Sequence, residues 1–341
     1  LTYLKKIEFG NYTLKFGDDK ALLDLFDEVV MPSFVEMKYI RKLRHKGEYF
    51  FLDTKVIKLE DKNNAPVVGI AGRIVKNTKL RREQIFRSDN GIVADISELE
   101  TAPSSTFILI LNTHRLLLCK EVPGAPTIQN FQSTSQYCLR KRHKEYIDEE
   151  YRTAKAAHTN NPELERVTKI SLVSNSPYPT LRITPLSDKQ NLRDFVDRFK
   201  HIDEVSIKLL STNREEIDND EFWADFGRRR EQMNSSTATA RFANSKEGLD
   251  ADAVYKQTSA ASNMGNSKVK LRGYDNEGDT INGNNDDFSL SIEMEDMPKD
   301  TERAAATKYS QFKHLVHAGI ISLPELTNST LDKIKSIFDR L

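Results

Sequence analysis

The stretch Asp203–Met233, DEVSIKLLSTNREEIDNDEFWADFGRRREQM, most constrains the fold. Val205, Ile207 and Leu209 alternate with Ser206, Lys208 and Leu210, the period-two pattern of a half-buried strand. Phe222, Trp223, Phe226 and Met233 then recur at helical spacing, so the stretch predicts one strand and one helix of the same layer. The only Trp lies here, where a large aromatic anchors a small core. Arg228, Arg229 and Arg230 follow Gly227 on the same helix. Helical steps of about 100° fan the triplet over roughly 200°, so at most two of the three can track one backbone.

The remaining patterns are antiparallel. Residues 2–16 read as a strand pair or extended arm, with Gly10 and Asn11 as the turn, and ALLDLFDEVV as a helix stopped by Pro32. Phe34–Glu60 predicts a long hairpin turning near His45–Gly47, and PVVGIAGRIVKNTKLRREQIF a strand pair or one bent strand, with Gly69 and Gly72 permitting a bulge. FILILNTHRLLLCKE is the most apolar element and predicts two core strands around Asn112, Thr113 and His114. A long helix starts at Thr127, and HTNNP at 158–162 is the candidate linker. KISLVS and LRITPL read as a hairpin, and Ser187 with Gln190 as the capping box of an amphipathic helix. Residues 234–264, rich in Ser, Thr, Ala and Asn, read as a mobile loop or a poorly packed segment; KVKLRGYD and FSLSIEM read as paired strands. TERAAATKYSQFKHLVHAGI and STLDKIKSIFDRL predict two terminal helices.

The expected fold class is therefore α+β: two domains built on antiparallel sheets with packed helices, plus a helical C-terminus. The division falls at 1–157, ending in a long basic helix, 163–300, and 301–341. Two cysteines, Cys119 and Cys138, are too few for a disulfide framework or a four-thiolate zinc site, and no run of about 20 apolar residues appears, so a cytoplasmic protein is expected. Lys plus Arg and Asp plus Glu each total 51, which removes any global electrostatic argument for nucleic acid and leaves only local clustering.

Four basic clusters qualify: Arg41, Lys42 and Arg44 through Lys46; Lys79 to Arg87; Arg140, Lys141, Arg142 and Lys144; and Arg228, Arg229 and Arg230 with Arg241. Any one alone reads as a solvated face balanced by neighbouring acids, whereas several on one surface would form a phosphate groove. Tyr39, Phe86 and Tyr137 lie near these clusters and are expected to face the core rather than stack on bases. The acidic loop DNEGDTINGNND lacks EF-hand spacing and reads as a hairpin loop, and His314 with His317 lacks a third metal ligand. Asp53 and Lys55 echo the acidic-x-Lys element of metal-dependent nucleases without acidic partners at interpretable spacing. No catalytic residue, metal site, cofactor or small-molecule substrate is indicated.

The progression from VSIKLLSTNREEIDNDEFWADF through a polar stretch to NSKVKLRGYDNEGDTI and FSLSIEM, with LRITPL and its helix before it, resembles the RexA family of phage exclusion proteins. KwaB-like antiphage proteins share a similar two-part layout. The resemblance implies a cytoplasmic, sequence-nonspecific binder of double-stranded DNA, a homodimer, acting as sensor for a membrane-protein effector. The expected contacts are Arg140, Lys141, Arg142 and Lys144, then Arg228, Arg229 and Arg230, then Arg41, Lys42 and Arg44. The alternative is a metal-dependent nuclease or other nucleic-acid enzyme of a defence system, centred on Asp53 and Lys55.

Overall fold

A computed structural model describes residues 3–44, 47–62, 65–210 and 221–341. Strand β1 (Lys5–Phe16) leads through β2 (Lys20–Ala21) and three short helical turns, the last being α1 (Met31–Ser33), to β3 (Arg41–Leu43). A meander follows: β4 (Gly47–Lys62), β5 (Ala65–Arg87), β6 (Gly91–Thr101), β7 (Ser104–Ile110) and β8 (Arg115–Lys120). Then come α2 (Ile128–Asn160), α3 (Lys169–Asn175), β9 (Pro179–Pro185), α4 (Lys189–Val196), β10 (His201–Leu210), α5 (Glu221–Gln232), β11 (Thr237–Ala243) and α6 (Ala251–Ser262). The chain ends with β12 (Ser267–Tyr274), β13 (Thr280–Asn284), β14 (Ser291–Met294), α7 (Thr301–His317) and α8 (Asn328–Asp339). This is the expected α+β class: two antiparallel sheets, packed helices and a helical C-terminus.

The larger sheet runs β14-β1-β8-β7-β5-β4-β3, with β2 and β9 on β1 and β6 on β5, and curls into a half-barrel. Helices cover both faces, which explains why FILIL is apolar without alternation. Phe107 and Leu109 join the core under α2 and α8, while Ile108 and Ile110 join the core under α7. Phe34, Phe51, Phe107 and Phe131 form the centre of the first core, with ring centroids 4.8–6.4 Å apart. Burial of each such ring contributes about 1.5–3 kcal/mol. Asp53, at φ +52, and Thr54 form a bulge in β4 opposite Gly72, where a Cβ would lie 2.8 Å from the Thr54 hydroxyl.

The smaller sheet runs β11-β10-β12-β13. Val205, Ile207 and Leu209 of β10 and Val269 and Leu271 of β12 face a core shared with Leu192, Phe195, Val254, Ala261 and fully buried Trp223. That core includes residues of α4, α5 and α6, all on one side of the sheet. The two sheets are interlocked by sequence: β9 and β14, both within 163–300, hydrogen-bond to β1. Buried Asn11 of β1 also donates to the carbonyls of Met264 and Gly265.

Several local expectations change. Gly10 and Asn11 continue β1 rather than turning it, and a Cβ on Gly10 would meet Ile183 at 2.7 Å, so that glycine serves close strand approach. The helix expected over 21–30 is replaced by one 3-10 turn and one π turn. KISLVS is helix α3, not a strand, because Thr168 caps it by accepting from the Ser171 amide at 3.1 Å. The helix near Ser187 is capped by Asp188, which accepts from the Asn191 amide at 2.8 Å. Residues 234–264 hold β11 and α6, the latter capped by Asp250. FSLSIEM supplies β14 to β1, and KVKLRGYD pairs instead with β10 and β13. Residues 211–220, between the expected strand and helix of the Asp203–Met233 stretch, and His45 and Lys46 of the expected hairpin turn lie outside the described residues. Among the described residues no helix is long and apolar enough to cross a membrane.

Candidate nucleic-acid interface

The fold brings two of the expected basic clusters together and holds the third elsewhere. Strand β3 packs against α2: the Cys138 thiol lies 3.8 Å from the Tyr39 carbonyl, and the Tyr39 hydroxyl donates to Glu145 at 2.6 Å. Arg41, Lys42 and Arg44 thereby join Arg140, Lys141, Arg142 and Lys144. Two of these cations, Arg142 and Lys42, are already neutralised. Arg142 makes two parallel bonds to Glu149 at 2.8 and 2.9 Å and donates to the Glu28 carbonyl at 2.7 Å. Glu149 is held below the usual carboxylate range by that contact, and Arg142 is raised by it. Lys42 sits 2.9 Å from Glu48, and Arg41 lies over the Tyr49 ring. Arg140, Lys141, Lys144 and Arg44 remain exposed, with Lys141 over Tyr137.

The triplet on α5 behaves as its helical fan requires. Arg228 and Arg229 both pair with Asp225, at 3.3 and 2.6 Å, and Arg229 followed by Arg228 holds that carboxyl below its ordinary range. Arg230 turns inward, is 7% exposed, and donates to the Leu210 carbonyl at 2.5 Å and to Glu231 at 2.9 Å. It is a structural anchor joining α5 to the end of β10. Phe222 and Met233 are exposed rather than part of the stripe, which is carried by Trp223 with Phe226 beside it.

A second concentration of unneutralised charge lies on the open face of the smaller sheet. Strand β12 alternates strictly between buried and exposed positions, so Lys268, Lys270, Arg272 and Tyr274 all point away from the core. Register places Lys208 of β10 opposite Lys268, Ser206 opposite Lys270, and Arg241 of β11 opposite Ser206. Across the other edge Asn284 and Asn282 of β13 stand opposite Lys270 and Arg272. Among the described residues no carboxylate lies within 4 Å of Lys208, Lys268 or Lys270. Arg241 bonds Glu204 at 2.6 Å, which lowers the Glu204 carboxyl, and Arg272 stands 3.7 Å from Glu204 and 3.9 Å from Asp203. A shallow depression of about 360 Å³ opens here between Glu204, Lys270, Arg272, Asn282 and Asn284.

The other constellations are accounted for locally. Lys55 is engaged by Glu302 at 2.6 Å, and Asp53 lies 3.5 Å from Arg73, itself bound to Glu121. Asp275 closes the acidic hairpin loop by accepting from the amides of Glu277 and Asp279, both at 2.9 Å. Among the described residues no group of three His, Cys, Asp or Glu side chains is placed to hold a metal, His314 and His317 included. Of the three aromatics near the basic clusters, Tyr39 is in the core, Tyr137 packs beside it, and Phe86 is 76% exposed, contrary to expectation.

The sheet-face lysines escaped a search for runs of basic residues because a strand spaces them by two. The signal was KVKLR itself: with its apolar residues committed to the core, its cations must share the other face. Residues 164–311, which contain the whole smaller sheet together with β9 and β14, match a family described as a domain of unknown function, DUF4747. No match was found among curated proteins.

Proposed function

We propose that the protein binds DNA without sequence preference on the open face of the smaller sheet. In keeping with the resemblance to phage exclusion proteins, it would act in the cytoplasm as the sensor of a defence system that signals to a partner effector. The observation that carries this reading is the set Lys208, Lys268 and Lys270, exposed on one sheet face with, among the described residues, no carboxylate within pairing distance. Lysines two residues apart on one strand stand about 6.7 Å apart, a spacing at which each meets a separate phosphate. Arg272 and Arg241 extend the row, and Asn282, Asn284 and Ser206 supply amides and a hydroxyl for phosphate or sugar. Among the described residues of this face the rings are those of Tyr274 and its register partner His201, 6.4 Å apart at one end, so backbone contacts dominate and affinity is sequence-tolerant and strongly salt-dependent.

The test is fluorescence anisotropy with labelled duplex and single-stranded DNA of two unrelated sequences, between 50 and 200 mM salt. The parent is expected to bind both sequences alike. Lys268→Glu with Lys270→Glu should weaken binding by about 30-fold and flatten the logarithmic salt dependence by about 2. A parent that binds neither DNA at 50 mM salt, or a double variant indistinguishable from it, sinks the proposal.

A further inference from the structure

The last strand of a sheet offers amides and carbonyls to any chain that can reach them, and folded proteins blunt such edges. Here β3, β13 and β14 hold only three to five residues, and β4 and the β5–β6 ribbon shift register. The outer amides of β9 at Leu181 and Ile183 donate to Gln136 and Gln132 of α2. Strand β11 has none of these protections: it is seven residues, TATARFA, without Pro or Lys and in unbroken register with β10. The Asn244 amide donates to the Asp203 carbonyl at 2.9 Å, and amides alternate in direction along a strand. Phe242, Ala240 and Ala238 therefore turn theirs to β10, and Thr239 and Arg241 turn theirs outward, where among the described residues no strand meets them.

The side chains around this edge describe what fits it. A reversal at Asn234, φ +51, sends β11 back along α5, which packs on it. Phe222, Phe226 and Met233 fall within about 40° of one another on that helix. Phe222 and Phe226 stack with centroids 6.1 Å apart, and Phe222 and Met233 are 52% and 73% exposed. Phe242, opposite core residue Val205 and so on the helix side of β11, is 43% exposed. The other side of the same edge is cationic, with Arg241 exposed and Lys208 opposite Thr239. We infer that this edge takes an extended segment of a partner protein as a fifth strand, with alternate residues apolar beneath α5 and acidic beside Arg241 and Lys208. The edge backbone supplies the hydrogen bonds, and period two sorts the partner's side chains between an apolar and a basic side. A second copy's β11 matches less well, because it brings its own Arg241 where the edge calls for a carboxylate. The inference shares Lys208 and Arg241 with the nucleic-acid reading but does not rest on it, since Thr239, Phe222 and Met233 belong to none of the DNA contacts.

The test is fluorescence anisotropy of a labelled, end-blocked peptide of alternating Glu and Val, titrated with the full chain. It should bind with a dissociation constant of about 10–100 μM, and the same peptide with Lys for Glu at least about 10-fold more weakly. Thr239→Pro removes one outward amide and leaves the ladder to β10 intact, so it should abolish binding. Met233→Asp, at an exposed position, should weaken binding by about 10-fold. Unfolding midpoints within about 2 °C of the parent show that each variant is folded, and Met233→Asp decides the matter if Thr239→Pro is not. A parent that binds neither peptide, equal binding of both, or binding unmoved by a folded variant overturns the inference. So does a dimer in sedimentation velocity that Met233→Asp dissociates, since the edge then belongs to a second copy.

Discussion

Helices α2 and α5 and the open face of β10–β13 each carry clustered cations, yet they differ in what several of those cations meet. On the helices Arg142, Arg228 and Arg229 are neutralised by acids of the same helix: Glu145 and Glu149 beside Arg142, Asp225 beside Arg228 and Arg229. Helical geometry causes this, because residues three or four apart share a face, so any mixed-charge helix pairs with itself. A strand sends alternate residues to opposite faces, and what a cation meets is decided by the neighbouring strand. Opposite Lys270 stand Ser206 and Asn284, neither of them charged. Density of charge along a sequence is therefore a poor guide to density of free charge in space, and the better guide is which element carries it.

The largest effect expected tests the same distinction indoors. Lys308 of α7 is fully buried, and its ammonium donates to the Ala304 carbonyl at 3.2 Å. Burial pushes it down to about 8, against a weaker opposing pull from Cys119 and Glu121. An unneutralised cation on the sheet face stays in water and costs little, while this one is desolvated. A pKa depressed by about 2.5 corresponds to about 3 kcal/mol of penalty on the folded state while the lysine is charged. The unfolded chain holds more protons between about pH 8 and 10, so stability attributable to this group rises with pH across that window. Lys308→Met should stabilise the protein by about 3 kcal/mol at pH 7, and the advantage should shrink toward pH 10 in denaturant titrations. Equal stabilities of the two proteins at pH 7 would remove the desolvation argument.

Within the α5 triplet the next effect separates anchor from solvated charge. Arg230→Ala leaves the buried Leu210 carbonyl without that donor and should lower stability by about 2 kcal/mol, whereas Arg229→Ala should move it by less than about 0.5 kcal/mol. Thermal unfolding of both variants under one buffer gives the comparison directly. A larger loss for Arg229→Ala would mean that the inward and outward roles are reversed.

Much of the scaffold was legible locally. Thr127 followed by Ile128, Phe131 and Cys138 marked α2, and Leu192, Phe195 and Val196 marked the buried stripe of α4, because cap and period are properties of a few adjacent residues. Pairing was legible only where strands are neighbours in sequence, as at Asn112–His114 between β7 and β8. Nothing near Ser291–Met294 announces that it pairs with Lys5–Glu8, and the search for a nearby partner misassigned it. Composition misled at 234–264, where Ala and Val at helical spacing build α6 from residues too small to read as a stripe. For the site, adjacency finds clusters in which Lys42, Arg142, Arg228, Arg229 and Arg230 are paired with carboxylates, while the period-two spacing of the sheet-face lysines reads first as a strand.

The smallest effect expected runs in the opposite direction and sharpens the contrast most. If the helical arginines are silent because Asp225 occupies them, rather than because α5 faces away from bound DNA, then removing that one carboxylate frees two guanidinium groups beside β11. Asp225→Asn keeps the side chain's size and removes its charge. Each exposed ion pair contributes no more than about 1 kcal/mol, so folding should change little. Affinity for DNA should rise about two- to three-fold at 50 mM salt, with the logarithmic salt dependence steeper by up to about 1 as one further phosphate is neutralised. The same substitution on a background of Lys268→Glu and Lys270→Glu should give no comparable gain, because two freed arginines at the sheet's margin cannot hold a backbone that its centre repels. A gain of equal size on both backgrounds would move the binding surface from the sheet to the helix.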